Sequence, residues 1–157
     1  MKIRILFVTV LLMLFSFSLA ACTQQTPNAP QALPAPDVLY QTIADAADLV
    51  PMLTLTSDEL YDVIGIDPAW YTESAAYFAA DGTAPDEILI FLAVDEAAAV
   101  LLENTLNTRL QYKRDSAAQY LTENQPMLEN GVVRRDGLTV SLLVAVDMDA
   151  IESCYPK

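Results

Sequence analysis

Apolar side chains recur along this chain with more than one rhythm, and each rhythm predicts a different element. Leu39, Ile43, Ala47 and Val50 return every three or four residues, the spacing of one helix face, behind Asp37, which is able to cap the first turn. Pro51 ends that helix. A second capped turn is predicted at Ser57-Asp58-Glu59-Leu60 and runs to Gly65, with Leu60 and Ile64, and Tyr61 beside them, facing inward. Ile66-Asp67-Pro68 then reads as a turn, because proline pushes the residue before it out of the helical region. Between Tyr71 and Ala80 the pattern matches neither period, and the element type stays open.

From Asp86 to Val94 the chain reads DEILIFLAV, apolar on both alternating faces, which predicts a central strand. The longest helix follows over residues 96–121. Ala98, Leu102, Leu106, Leu110, Ala117 and Leu121 form one stripe, with Glu103, Asn107, Arg114 and Asp115 off it. The last third predicts a hairpin: Met127 to Arg135 as one arm, Asp136-Gly137 as the turn, Leu138 to Val146 as the other. In the second arm Leu138, Val140, Leu142, Val144 and Val146 share the side that meets the long helix, while Thr139 and Ser141 begin the other. A short helix from Asp147 to Cys154 closes the chain. The expected fold is α+β and two-layered, a mainly antiparallel sheet with helices packed on one face, in a single globular domain over residues 37–157.

What precedes that domain concerns location. Lys2 and Arg4, the apolar run from Ile5 to Phe17, and the small residues before Cys22 are the three parts of an export signal. Leu19-Ala20-Ala21-Cys22 looks like a lipobox, which implies diacylglycerol on the Cys22 sulfur and cleavage after Ala21, so residues 1–21 are expected to be a removed leader. Two acyl chains on one glyceryl unit hold a protein stably at a membrane, each buried methylene contributing about 0.8 kcal/mol. The competing reading is a transmembrane anchor, since about 18–20 apolar residues span a bilayer; Lys2 and Arg4 put the domain outside under either reading. Residues 22–36 follow as the lipidated cysteine and a proline-rich tether, uncharged, with Leu33 its one large apolar side chain. Such composition favours extended polyproline II at about 3.1 Å per residue, holding the domain away from the lipid. Binding of this segment in an aromatic groove is the weaker alternative.

The net charge of −13 deepens once the leader is gone, because Lys2 and Arg4 leave and all 21 acidic residues stay. Such a body repels phosphate backbones and anionic lipid, which argues against a nucleic-acid partner. With Cys22 as a thioether, Cys154 has no partner in the chain and is expected to be a small buried apolar side chain; the alternative is an intermolecular disulfide or reactive thiol.

With no histidine in the chain, Ser-His and Cys-His catalysis and imidazole zinc sites are excluded within it. No sequence feature points to a cofactor. Lys113 and Ser116, three apart on the long helix, would permit a Ser-Lys pair, but Lys113 is expected on the solvated side. Asp58, Glu59 and Asp62 crowd a helix start, where the unsatisfied amides favour negative charge. They and Asp147-Met148-Asp149 read as caps before they read as a weak divalent-cation site, since no Asp-x-Asp-x-Asp-Gly loop is present. With this many acids, a glycosidase-like carboxylate pair can always be named and carries no weight. Trp70, Tyr71, Tyr77 and Phe78 would grip a sugar or peptide if exposed together, while Trp70 is expected in the core. Arg134 and Arg135 are the densest positive spot, a solvated turn by default and a contact for an acidic partner otherwise.

Several short stretches, in this order, resemble those of a group of Gram-positive bacterial lipoproteins, the domain-of-unknown-function (DUF) family 4358. They are Leu49-Val50-Pro51-Met52, Ser57-Asp58-Glu59-Leu60, Ile64-Gly65-Ile66-Asp67, Asp86-Glu87-Ile88 leading into Phe91, and the helix with Arg109 ending in Tyr120-Leu121. Where the resembling stretch often continues with proline, this chain has Thr122-Glu123-Asn124-Gln125 before Pro126, which leaves the helix end open. The resemblance implies a small extracytoplasmic lipoprotein domain with no assigned reaction and no catalytic residue to carry over. The expected function is a non-enzymatic interaction domain, tied to the membrane through Cys22, that contacts an envelope protein or a cell-wall component. The alternative is a surface lipoprotein that binds a small ligand or a divalent cation.

Overall fold

The computed structural model describes residues 33–155, so the leader, Ala21, Cys22 and most of the tether lie outside the described residues. Chain order gives α1 (Pro36–Ala46), β1 (Met52–Thr54), and α2 (Ser57–Glu59), which runs on as a π-helical stretch Leu60–Ile64. A 3-10 turn Pro68–Trp70 leads into β2 (Tyr71–Ala79), then β3 (Glu87–Ala93) and the long helix α3 (Glu96–Tyr120). A second 3-10 turn, Thr122–Asn124, precedes α4 (Gln125–Asn130), β4 (Val132–Asp136), β5 (Thr139–Val144) and α5 (Met148–Ser153). The strands form one sheet in the order β1-β2-β3-β5-β4, antiparallel at every pairing, with β3 at its centre. The α+β class and the antiparallel sheet agree with the sequence pattern.

The layering does not: helices cover both faces, giving three layers instead of two. The cause lies in β3, which after Glu87 is apolar on both faces from Ile88 to Ala93. Leu89, Phe91 and Ala93 pack with Val140, Leu142 and Val144 of β5 against Leu102, Leu106 and Leu110 of α3. Ile88 and Ile90 face the opposite way and pack with Leu143 and Ala145 against Leu39 and Ile43 of α1 and Ile151 of α5. A strand with two apolar faces needs two covers, because each face left wet forfeits about 25 cal/mol per Å² of apolar surface. The first and last helices supply the second cover, to which Leu33 and Cys154 add partly buried side chains.

Local chemistry explains the boundaries. Pro36, not a cap by Asp37, opens α1: its ring presets the first helical φ and its missing N–H is no loss there, while Asp37 sits in the first turn, where its charge suits the dipole. The helix stops at Ala46, before Val50. Thr56 caps α2 in a reciprocal box with Glu59: the Thr56 N–H donates to Glu59 Oε2 at 2.7 Å and the Glu59 N–H donates to Thr56 Oγ1 at 3.3 Å. Leu60 is buried as expected, whereas Tyr61 is exposed. Asp95 caps α3 through the Ala98 N–H at 2.8 Å. The expected stripe of α3 is buried up to Ala117, and Leu121 lies past the helix end, partly exposed.

The hairpin turn is displaced by one residue. Asp136 pairs with Thr139 inside the ladder, leaving Gly137 and Leu138 as the turn, with Gly137 at φ +63°, a left-handed conformation that only glycine adopts at little cost. The first arm is also shorter than expected, because residues 125–130 form α4. Arg114, off the apolar stripe as expected, holds that helix end: its Nε donates to the Leu128 carbonyl at 2.9 Å and its guanidinium also reaches the Glu129 and Gly131 carbonyls. Gly131 is needed for closeness rather than conformation. A Cβ there would stand 2.8 Å from Val144 Cγ2 and 3.3 Å from Leu110 Cδ1. Gly131→Ala is therefore expected to lower stability by about 1–3 kcal/mol, measured by urea unfolding; an unchanged midpoint would show that α4 shifts freely.

Candidate functional site

Two neighbouring clefts run along the outer flank of α3. The inner one, about 270 Å³, lies between α3 and the loop joining β2 to β3, and Phe78, Pro85, Asp86, Lys113, Ser116 and Leu128 are among its walls. The outer one, about 590 Å³, lies between α3 and the π-helical stretch, walled by Val63, Ile64, Gly65, Asn104, Thr105 and Thr108. Arg109 and Tyr112 belong to both. One turn of α3 thus separates an inner chamber from an outer groove, and Tyr112 and Val63 stand exposed along the groove.

The inner chamber is built around charge. Glu87, fully buried, opens β3 and uses both carboxylate oxygens: Oε1 accepts from Arg109 Nε, and Oε2 accepts from Lys113 Nζ at 2.6 Å. Arg109 and Lys113 are four residues apart, so one face of α3 presents both cations to one carboxylate. Lys113 also donates to the Pro85 carbonyl at 2.7 Å, tying the loop to the helix. The expectation of a solvated Lys113 is overturned: its stem crosses the cleft wall and its ammonium is held in an ion pair. At the far rim Asn124 donates to the Thr83 carbonyl at 2.7 Å, and Asp81 accepts from the Thr83 N–H and hydroxyl, which holds the Asp81 carboxyl below its usual range.

Asp86 is different. It is only 3% exposed, lines the inner chamber, and its Oδ1 has no hydrogen-bond partner among the described residues. Desolvation holds its carboxyl above the ordinary value of 3.8, opposed by its own backbone N–H and by Lys113. A carboxyl raised in the folded state favours folding fully below its unfolded value, and that contribution is lost as pH rises through the folded value. Asp86→Asn is accordingly expected to be more stable than the parent at neutral pH, with the gap closing as pH falls toward 3.8. Urea unfolding of both across that range checks it, and a variant weaker at neutral pH would refute it.

The other candidates do not gather into a site. Trp70 and Tyr71 pack on the α3 side, while Tyr77 turns to the other face and stacks on Tyr40, centroids 3.6 Å apart and planes 2° from parallel. Phe78 alone reaches the inner chamber. Arg134 and Arg135 also alternate across the sheet. Arg134 donates two bonds to Asp136, at 2.6 and 2.9 Å, and lies 4.0 Å over the Tyr155 ring, whose hydroxyl burial pushes up to about 12. Arg135 pairs on the α3 side with Glu96 and Glu103. Glu59 serves the Thr56 cap, which holds its carboxyl below the usual range, and Asp147 caps α5 through the Ala150 N–H at 3.0 Å. Among the described residues, no group of three or more His, Cys, Asp or Glu side chains gathers to hold a metal ion. Cys154 is a free, half-buried thiol 3.4 Å from the Ala150 carbonyl oxygen. Cys22 and Ala21 lie outside the described residues, and among the described residues no helix is long and apolar enough to cross a membrane.

The sequence reading missed Glu87 and Asp86 as chemistry. A signal existed in two acids set directly before the most apolar strand, together with two cations at helical spacing on α3. No curated protein and no solved structure matches the chain. A family model described as "Domain of unknown function (DUF4358)" matches residues 45–145, which take in both clefts, the whole sheet and α3, and stop short of α5. The chain belongs to the DUF4358 family.

Proposed function

We propose that this protein is an extracytoplasmic lipoprotein of a Gram-positive cell, held at the membrane by diacylglyceryl on Cys22 after cleavage behind Ala21, whose domain binds a partner in the envelope and catalyses no reaction. The tract along α3 is the binding surface. The observation that carries this is its shape: two adjoining clefts share Arg109 and Tyr112, with Tyr112 at 70% and Val63 at 64% exposure along the rim. Concave, mostly apolar sites with a few fixed polar groups are where ligands are held. Exposed aromatic and aliphatic side chains beside them are the residues that anchor partners. The charged groups of the tract support binding over catalysis, because Arg109, Lys113 and Glu87 are already committed to one another.

Anchoring and binding are tested separately. Cys22→Ser is expected to release the protein from the membrane fraction or mislocalise it; an unlipidated variant that stays fully membrane-bound would favour the transmembrane reading of the leader. For binding, the native protein is crosslinked at the cell surface and captured, alongside Tyr112→Ala. The variant is expected to lose the partner while keeping its fold. Turnover of a wall, peptide or sugar substrate by the purified protein would sink the non-catalytic reading.

A further inference from the structure

We propose that the outer groove of this tract receives a basic polypeptide segment of the partner, its apolar side chains seated between Val63 and Tyr112 and its lysine or arginine side chains set against Asp58 and Asp62. The inference rests on the α3 tract being the binding surface and adds the chemistry of what lies in its outer groove.

The charge of the groove comes from one wall. From Ile5 to Thr108 the chain has no lysine or arginine, although most of its acidic residues fall there. Asp58 and Asp62, both exposed, belong to α2 and the π-helical stretch that continues it, the segment whose Val63, Ile64 and Gly65 wall the groove. That stretch also ends there. Its last carbonyls lack helical partners and carry partial negative charge, and its last turn has no basic residue to answer them. The other cations of the described residues are committed elsewhere: Arg109 and Lys113 to Glu87, Arg114 to the carbonyls at the end of α4, Arg134 to Asp136, and Arg135 to Glu96 and Glu103. Arg109 thus enters the groove lining with its charge already answered by Glu87, and the acids of the facing wall set the field.

The same groove is fitted for a polypeptide. Val63 and Tyr112 stand exposed on its two walls, and Leu101, also exposed, continues the row of Thr105, Thr108 and Tyr112 at helical spacing. Large apolar side chains left in water beside a concavity of about 590 Å³ are the residues that anchor a partner's own apolar groups. Asn104, on the α3 wall, offers both a donor and an acceptor, the pair that a peptide backbone matches. A neutral glycan would leave the acids unanswered. A second copy of this chain, at a net charge of −13, would set like charge against like. A basic segment with apolar side chains answers the acids and the anchors together.

The test uses the full-length protein and three synthetic peptides of equal length: one built of leucine and lysine, one with glutamate in place of lysine, and one with serine in place of leucine. Binding kinetics are followed at neutral pH over a range of salt. The leucine-lysine peptide is expected to bind and the other two are not. Charges at the edge of an interface act on the association rate and its salt dependence. Asp58→Asn combined with Asp62→Asn should therefore slow association about threefold to tenfold, the effect of losing two exposed ion pairs, and flatten the salt dependence. Asp37→Asn combined with Asp45→Asn, the same change of charge at exposed positions of α1, should leave association near the parent rate. Tyr112→Ala should instead speed dissociation. If Asp58→Asn weakens the start of α2, Asp62→Asn alone decides. Binding of the serine-lysine peptide as tight as that of the leucine-lysine peptide, binding of the glutamate peptide, no binding of the leucine-lysine peptide, or equal effects of the two aspartate pairs overturns the proposal. Capture of the partner at the cell surface separates the two readings. Capture that needs Tyr112 but ignores Asp58 and Asp62 removes the basic segment and leaves the binding tract standing; capture and peptide binding that both ignore Tyr112 remove both.

Discussion

Arg109→Ala combined with Lys113→Ala is expected to destabilise the fold by about 3–5 kcal/mol, the usual consequence of leaving one member of a buried ion pair alone. The asymmetry of burial makes the direction firm. The Glu87 side chain is fully buried, whereas those of Arg109 and Lys113 each keep 20% exposure. Removing the cations strands a carboxylate that has no route to water. Removing the carboxylate strands cations on long stems that can turn toward solvent. Glu87→Gln should therefore cost less than the double cation variant. Exchanging all three for apolar residues of similar volume should come near neutral, since well-packed hydrophobic replacements often match buried ion pairs. Urea unfolding of the three variants gives the order. A loss below about 1 kcal/mol in the double variant would place the pair with exposed ones, whose contribution is that small.

Phe91→Ala is expected to cost about 3–5 kcal/mol, in the range found for buried aromatic truncations. Phe91 is fully buried on the central strand, opposite Ser74 of β2 and Val140 of β5, and meets the Tyr71 ring edge-on at 5.2 Å and 60°. Its cavity cannot close readily. β3 is fixed by ladders on both sides, and α3 is held by its own ion pairs and by Arg114. Leu92→Ala, one residue on and only half-buried, is the internal comparison and should cost clearly less. A double-mutant cycle with Tyr71→Phe would test whether the Tyr71 hydroxyl, buried without a partner among the described residues, offsets part of the ring contact. Equal losses at Phe91 and Leu92 would mean that burial on β3 does not set the energetics.

The elements legible in the sequence were those whose pattern is local. The stripe of α3, the continuous apolar run of β3 and the turn at Gly137 follow from period, composition and backbone preference. β2 was illegible because Glu73 and Ala75-Ala76, in its middle, have weak strand preference. They form a strand because β3 supplies a partner over seven paired positions. β1, three residues long, is defined wholly by its pairing with β2. The missing layer was half-legible. The apolar run of β3 already demanded two covers, but nothing local in α1 or α5 says which face each takes. The site was least legible of all. Glu87 and Lys113 are 26 residues apart, and only the fold puts an apparently solvated lysine over a buried acid.

The second cover has a consequence for how the molecule opens. α1 and α5 are the two ends of the described chain, fastened to the sheet by side chains such as the Tyr40–Tyr77 stack, and to each other where Cys154 Sγ lies 3.8 Å from the Thr42 carbonyl oxygen. Local openings draw on the least anchored parts of a structure, so this pair should detach together as one sub-global unit. Ile88, Ile90 and Leu143 would then be wetted while their amides remain in the ladders between β2, β3 and β5. Hydrogen exchange would register the event at the amides of α1 and α5 alone. A dye that binds exposed hydrocarbon would report it from the middle of the sheet.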